Sequence, residues 1–343
     1  MIFSVTGLLR RVIKNGGSKM MKKTILKKAL LMGLSTIAAV TLLAGCSSKK
    51  SESDGKIKIG ILQLIDQSAL DEARKGFTSE LKSTGYVDGK NIKIDYVNAE
   101  GDQSNLKTMS ERLARDKNVL NLAIATPAAQ AMMTADQKTP LLFTAITDPV
   151  NAGLVNSFAK PNKNATGVTD SVPVESQLDL LLQLFPKTKT IGLLYNAAEP
   201  NSVVQIKQAQ KIIKKKGLAF KARTVATTND VEQATASLAK QVDAIYIPAD
   251  NVLTAAMATV GKVSENTKTP VIPATLPMVK LGGVATRGID YNLLGRQTAK
   301  MAIKIIKKQK TVKQLPVEKP AEVKLGFNDQ LAKLFKIDQS KFK

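Results

Sequence analysis

From Ile57 onward, short apolar runs alternate with stretches whose apolar residues recur every three or four positions. The runs Ile57–Leu64, Ile92–Val97, Leu120–Ala125, Pro140–Ala145, Thr190–Tyr195, Phe220–Val225, Ala244–Ile247, Val271–Ile272 and Gly283–Arg287 are strand-length and predict β-strands. Between them, Leu70, Ala73, Phe77 and Leu81 share one helical face, as do Leu178, Leu181, Leu182 and Phe185. A last long helix is predicted over about Leu293 to Lys308. Strand and helix in strict alternation give parallel sheets with crossover helices. The rhythm falls into two sets, so the predicted fold is α/β, with two Rossmann-like lobes joined by a multi-strand hinge. The first lobe is predicted over residues 57–167, with a returning helix near 292–308. The second covers 168–290, with a C-terminal segment near 315–343. The turn-rich stretch Pro161–Gly167 is read as the first crossing between them.

The first fifty residues follow another plan. Lys22, Lys23, Lys27 and Lys28 precede an apolar run, Ala29 to Leu43, and then Leu43, Ala44, Gly45 and Cys46. A basic start, an apolar core and small residues before a cut are the parts of a secretory signal over residues 1–45. The run is short for a membrane span, which needs roughly 20 apolar residues. The chain's single cysteine directly after Leu-Ala-Gly resembles a bacterial lipobox, which implies a diacylglyceryl thioether on Cys46. Residues 1–19 fit no signal plan, so translation is expected to start at Met20 or Met21. Residues 46–56, small and polar, read as a flexible tether.

Composition then removes whole classes of chemistry. With no His and one Cys, Ser-His-Asp and Cys-His sites, His-ligated metals, zinc cysteine clusters and internal disulfides are excluded. Neither a phosphate-binding P-loop nor a G-x-G-x-x-G turn is present. No cofactor is expected. The formal net charge of +23 comes mostly from lysines scattered on helix faces, such as Lys211, Lys214, Lys215 and Lys216. Without a nucleic-acid motif this reads as a solvated basic surface, drawn to anionic lipid or cell-wall polymer rather than to DNA or RNA.

Polar residues gather where strands hand over to helices. Gln67 and Ser68 follow the first strand, Thr126 and Ala128 the third, and Thr144 and Asp148 the end of the fourth. In the second lobe come Asn196, Glu199, Asn201 and Ser202, then Asp250, then Thr275. Ligands of open parallel sheets sit outside the carboxyl ends of the strands. Thr126 before Pro127, and Asp148 before Pro149, are read as helix N-caps. The amides behind small Ala128 suit a carboxylate, and Glu199 or Asp250 in the opposite lobe suit an ammonium group. An α-amino acid carries both. Each cap taken singly is better explained by the needs of its helix; the repetition of polar clusters on the same edge of both lobes is what points to a cleft. Arg287 and Asp290 are read either as an ion pair bracing the hinge or as ligand contacts.

Fragments along the whole body resemble one family. They are Ala69–Asp71, Gly85–Asn91, Asn98–Asp102, Ala125–Gln130, Thr147–Val150, Asn201–Gln205, Pro248–Asn251, Gly288–Tyr291 and Leu294–Gln297. Together they are similar to the substrate-binding lipoproteins of ABC transporters, the group with tryptophan- and tyrosine-type members. The resemblance implies a periplasmic-binding-protein-like, type I fold. It implies a monomeric, non-enzymatic protein, lipid-anchored outside the cell membrane, that serves an ABC permease and its ATPase. It implies an aromatic or other hydrophobic amino acid as ligand, with Thr126, Ala128, Thr144, Asp148, Asn196, Glu199, Asn201, Ser202 and Asp250 around the cleft. Asp66-Gln67-Ser68 and the turn Pro273–Pro277 depart from the family pattern, which leaves the exact ligand open. Sugar or nucleoside binding is the rival ligand class. An α/β enzyme, or a sensory domain like that of sugar-responsive repressors, is the rival function.

Overall fold

The computed structural model describes residues 55–342. The signal segment, Cys46 and the tether before Gly55 lie outside them.

The first sheet is built from β1 (Ile57–Gln63), β2 (Ile92–Asn98), β3 (Leu120–Ile124), β4 (Leu141–Ile146) and β5 (Ala165–Thr169). All its pairings are parallel, in the order β2-β1-β3-β4-β5. Every residue of β3, β4 and β5 is buried, as expected for strands covered on both faces. Helices α1 (Ser68–Ser83), α2 (Gln103–Arg115) and α3 (Thr126–Ala135) are the crossovers. The predicted stripe of α1 is buried in full at Leu70, Ala73, Phe77 and Leu81. Each large apolar side chain of that stripe contributes about 1.5–3 kcal/mol of transfer free energy.

The second lobe follows α4 (Val174–Leu184): β6 (Thr190–Asn196), α5 (Pro200–Lys215), β7 (Ala219–Val225), α6 (Val231–Ala239), β8 (Ala244–Ile247), α7 (Asn251–Ala255), α8 (Met257–Thr267) and β9 (Val271–Pro273). Its sheet runs β7-β6-β8-β9, again all parallel. After α9 (Leu276–Leu281) and β10 (Ala285–Gly288) the chain returns to the first lobe as α10 (Tyr291–Ile306). It goes back to the second lobe through β11 (Lys324–Phe327), antiparallel to β10, and ends in α11 (Asp329–Leu334) with a final short turn.

Two elements differ from the sequence reading. The stretch read as the first crossing contains β5, so the chain crosses at Asp170–Pro173 instead. Gly167 made it look like a turn. In the structure a Cβ at Gly167 would collide with the carbonyl of Phe143, so this glycine permits close strand packing. At the other end, Val312, Leu315 and Val317 complete the first lobe's core, and only β11 and α11 return to the second.

Helix α10 lies directly on α1. A Cβ at Gly295 would strike the carbonyl oxygen of Ala73, and one at Gly76 would strike that of Asn292. These glycines are where the two helices touch backbone to backbone. No helix among the described residues is long and apolar enough to cross a membrane.

Candidate functional site

Both sheets present the carboxyl ends of their parallel strands to one interlobe cleft. Its floor is lined by Gln67, Ala145, Thr147 and Asp170 from the first lobe and first crossing. Asn201, Ala249, Asp250, Asn251, Thr254 and Thr275 come from the second lobe, and Tyr291 from the second crossing. The lobes meet directly across it. Gln67 Nε2 donates to Asn251 Oδ1 at 3.3 Å, and Gln205 Nε2 reaches Thr147 Oγ1 at 3.5 Å. The cavity left between them is about 10 Å³, roughly one water's worth of room. This is a closed arrangement, and a side chain the size of an amino acid's enters only when the lobes part.

The first-lobe rim holds a helix start and two hydroxyls without side-chain partners. Helix α3 begins after Ala125, which has no side chain to cap it; Thr126 lies inside the helix, not at its cap as the sequence suggested. Ala125 is held at φ 83° and its neighbour across the sheet, Ala145, at φ 57°. Such conformations cost non-glycine residues about 1–3 kcal/mol and concentrate at functional sites. Thr126 and Ala128, in the uncapped first turn, are buried. Next to them the hydroxyl of fully buried Thr144 has no partner, while its carbonyl accepts from Ala125 N at 3.2 Å. Ser68 Oγ is likewise buried without a partner.

Asp148 caps a turn, accepting from Asn151 N at 3.0 Å, and no helix follows it. Gln67, Thr275 and Asp290 are the true N-caps of α1, α9 and α10. Asp290 Oδ1 accepts from the Asn292 and Leu293 amides, and no Arg287–Asp290 ion pair is found among the described residues. Leu276 packs against Gly288 and Gly326, next to the second crossing.

The second-lobe rim is acidic. Glu199 accepts from Asn251 N, Asn251 Nδ2, Val252 N and Asn201 Nδ2, at 2.6–3.2 Å. Asp250 caps α7 through Leu253 N at 3.0 Å and accepts from Asn196 N at 2.6 Å and Ser202 Oγ at 2.8 Å. Both carboxylates thus knit the β6–α5 and β8–α7 loops together. Burial, and next the Asp250 charge, push the Glu199 carboxyl up to about 8; burial raises Asp250 as well. Asn201 is turned so that its Nδ2 donates to Glu199 and to Ala249 O at 2.8 Å, which leaves its buried Oδ1 without a partner.

Several residues of the site were not among the sequence candidates, Asp170 and Tyr291 foremost. Asp170 Oδ2 accepts from Tyr291 Oη at 2.9 Å and Oδ1 from Thr147 Oγ1 at 3.1 Å. The signal was present: Asp170 follows a strand as the other polar clusters do, but that strand, β5, had been read as a turn.

Two parallel-sheet lobes, three crossings and a polar cleft at the strand ends define the periplasmic-binding-protein-like class of two-lobed α/β proteins. The family model for ABC transporter substrate binding proteins matches residues 58–341, and the chain belongs to that family. It is 36% identical over 317 residues to a tyrosine-binding protein of Clostridioides difficile (strain R20291), covering 90% of this chain and 92% of the relative. Among solved structures it is similar to an ABC domain in complex with L-Trp from Streptococcus pneumonia. That match has 36% identity and TM-score 0.79, over 84% of this chain and 97% of that one. A substrate binding protein with adhesive properties from Clostridium difficile, in its ligand-free, open structure, is 38% identical with TM-score 0.64, over 82% and 95%. At nearly equal identity the L-Trp complex superimposes better than the open form, in keeping with the interlobe contacts found here.

Proposed function

We propose that this ABC transporter substrate-binding protein captures an aromatic amino acid, tyrosine or tryptophan, by closing its two lobes on it. The observation that carries the reading is the division of the cleft into a donor side and an acceptor side. The uncapped first turn of α3 and the Thr144 hydroxyl offer donors and a positive dipole end to a carboxylate. The opposite rim holds the unpartnered acceptor Asn201 Oδ1, and the first crossing holds the Asp170 carboxylate, both suited to an ammonium group. Gln67, Ser68, Asn201, Asp250 and Thr275 shape the remaining surface, with Asn196, Ser202 and Glu199 holding the second-lobe loops in place. The ligands named for the two similar proteins, tyrosine and L-Trp, support the same class.

The protein binds without catalysing a reaction, works as a monomer with an ABC permease and its ATPase, and is held outside the cell membrane by lipid on Cys46. Two acyl chains make a secure anchor where one is marginal, and tethering raises the effective concentration at the permease.

The test is a thermal-shift and calorimetry screen of the purified body against amino acids, sugars and nucleosides. An aromatic amino acid at a hundred times its Kd is expected to add about 2.7 kcal/mol of stability, and to be recovered chemically unchanged. A shift with sugars or nucleosides alone, or conversion of the ligand, overturns the reading.

A further inference from the structure

Three buried carboxylates surround the cleft, and they are not equivalent. Glu199 and Asp250 are saturated by donors of their own lobe. Asp170 meets two neutral hydroxyls, one per oxygen, and its own backbone amide, and no charged group is among the neighbours that perturb it. A carboxylate has about four acceptor sites, so Asp170 keeps unused acceptor capacity. It lines the cleft cavity, as does Asn201 from the second lobe. Asn201 Oδ1 is buried and unpartnered, and the amide cannot be flipped to relieve it, because Nδ2 already faces the acceptors Glu199 and Ala249 O.

We infer that Asp170, at the first crossing, is the group that binds the ligand's ammonium, with Asn201 Oδ1 as the second acceptor brought up by closure. The inference rests on the amino-acid reading above and sharpens it. An ammonium has three donors and one positive charge. It satisfies an otherwise uncompensated buried carboxylate and an orphaned amide oxygen in one step. A sugar hydroxyl supplies only a dipole and leaves the Asp170 charge unpaired, which is costly in a buried site. Because the two acceptors come from the hinge and from the second lobe, an ammonium gains both only when the lobes are shut. Binding is thereby coupled to the closed form. Burial raises the Asp170 carboxyl, and the arriving cation favours its ionised form.

The experiment compares a matched ligand pair on wild type and Asp170→Asn: the aromatic amino acid and its desamino analogue, the 3-arylpropionate. Wild type is expected to prefer the amino acid. In Asp170→Asn the amino acid's affinity is expected to fall by about thirtyfold or more, the loss typical of removing one partner of a buried charge pair. The analogue's affinity is expected to stay within about threefold. If the Asn variant does not fold, Asp170→Ser, which leaves a hydroxyl toward Tyr291, is expected to give the same selective loss. Equal loss of both ligands, or unchanged amino-acid affinity in a folded variant, overturns the assignment to Asp170 while leaving the amino-acid reading intact. Failure of wild type to bind any amino acid overturns both.

Discussion

Gln67 and Asn251 are 184 positions apart in the chain, yet the Gln67 amide donates directly to the Asn251 amide oxygen. One residue caps the first helix of lobe one, and the other opens α7 in lobe two. This bond exists only while the lobes are together, so it contributes to closure and not to either lobe alone.

Gln67→Ser separates the two roles. Serine still caps α1 but is too short to reach Asn251. A hydrogen bond of about 0.5–1.5 kcal/mol changes the closed-to-open ratio about two- to twelvefold. The apparent ligand affinity should fall by that factor, with a larger radius of gyration in ligand-free scattering and a melting temperature within a degree or two of wild type. An unaltered scattering profile and affinity would show that the bond does not govern closure.

Thr144→Val tests the carboxylate side. Its hydroxyl is buried without a partner, so an isosteric methyl removes an unsatisfied group. Stability without ligand should hold or rise. Affinity for the amino acid should drop more than about tenfold, because hydrogen bonds to charged groups contribute about 1.5–3 kcal/mol. Calorimetry on the folded variant reads both; a destabilised variant of unchanged affinity would contradict the assignment.

Glu199 and Asp250 give the fold an unusual pH dependence. Both carboxyls are raised in the folded chain, Glu199 to about 8, against an unfolded value near 4.5. The folded state therefore retains protons that the unfolded chain has released. This contribution is complete below about pH 4.5 and is lost as pH rises through about 8. Urea unfolding midpoints should decline from pH 5.5 to 8.5, and Glu199→Gln should flatten the decline. Because its carboxylate holds both loops, Glu199→Ala is expected to lower folding stability as well as binding. A midpoint that rises over this range in wild type would refute the coupling.

Gly295→Ala addresses the seam between α1 and α10. In an exposed helix the change gains up to about 1 kcal/mol. Here the new Cβ meets the Ala73 carbonyl, and a net loss of about 2 kcal/mol or more is expected from overpacking. Chemical denaturation measures it, and a stabilised variant would contradict the backbone contact.

Cys46→Ala tests the anchor. The variant should leave the membrane fraction and appear in the medium or soluble extract, without the mass of a diacylglyceryl group. Retention at the membrane would point to attachment by other means.

Much of this fold was legible because fully buried parallel strands read as uninterrupted apolar runs: β3, β4 and β8 could be bounded to within a residue or so. β5 was hidden because Gly167 packs against Phe143 and Thr166 bonds the Leu315 carbonyl, both partners distant in sequence. β11 was hidden because it is a four-residue, half-exposed strand whose partner is β10. The cleft was legible as a set of polar strand ends. What each polar end does was not, since that depends on tertiary donors: Glu199 looks free in sequence and is saturated in space, whereas Asp170 went unnoticed in sequence and lines the cleft. Caps failed for a similar reason. Ala125, an unpromising cap, holds that place through its backbone alone.

The returning helix has a consequence for how the chain is made. Lobe one begins at Ile57, yet its interior is finished only by residues 289–317. Contacts that distant close slowly, and during synthesis they cannot close until nearly the whole polypeptide has left the ribosome. The first lobe of the nascent chain thus stays unfinished almost to the last residues made.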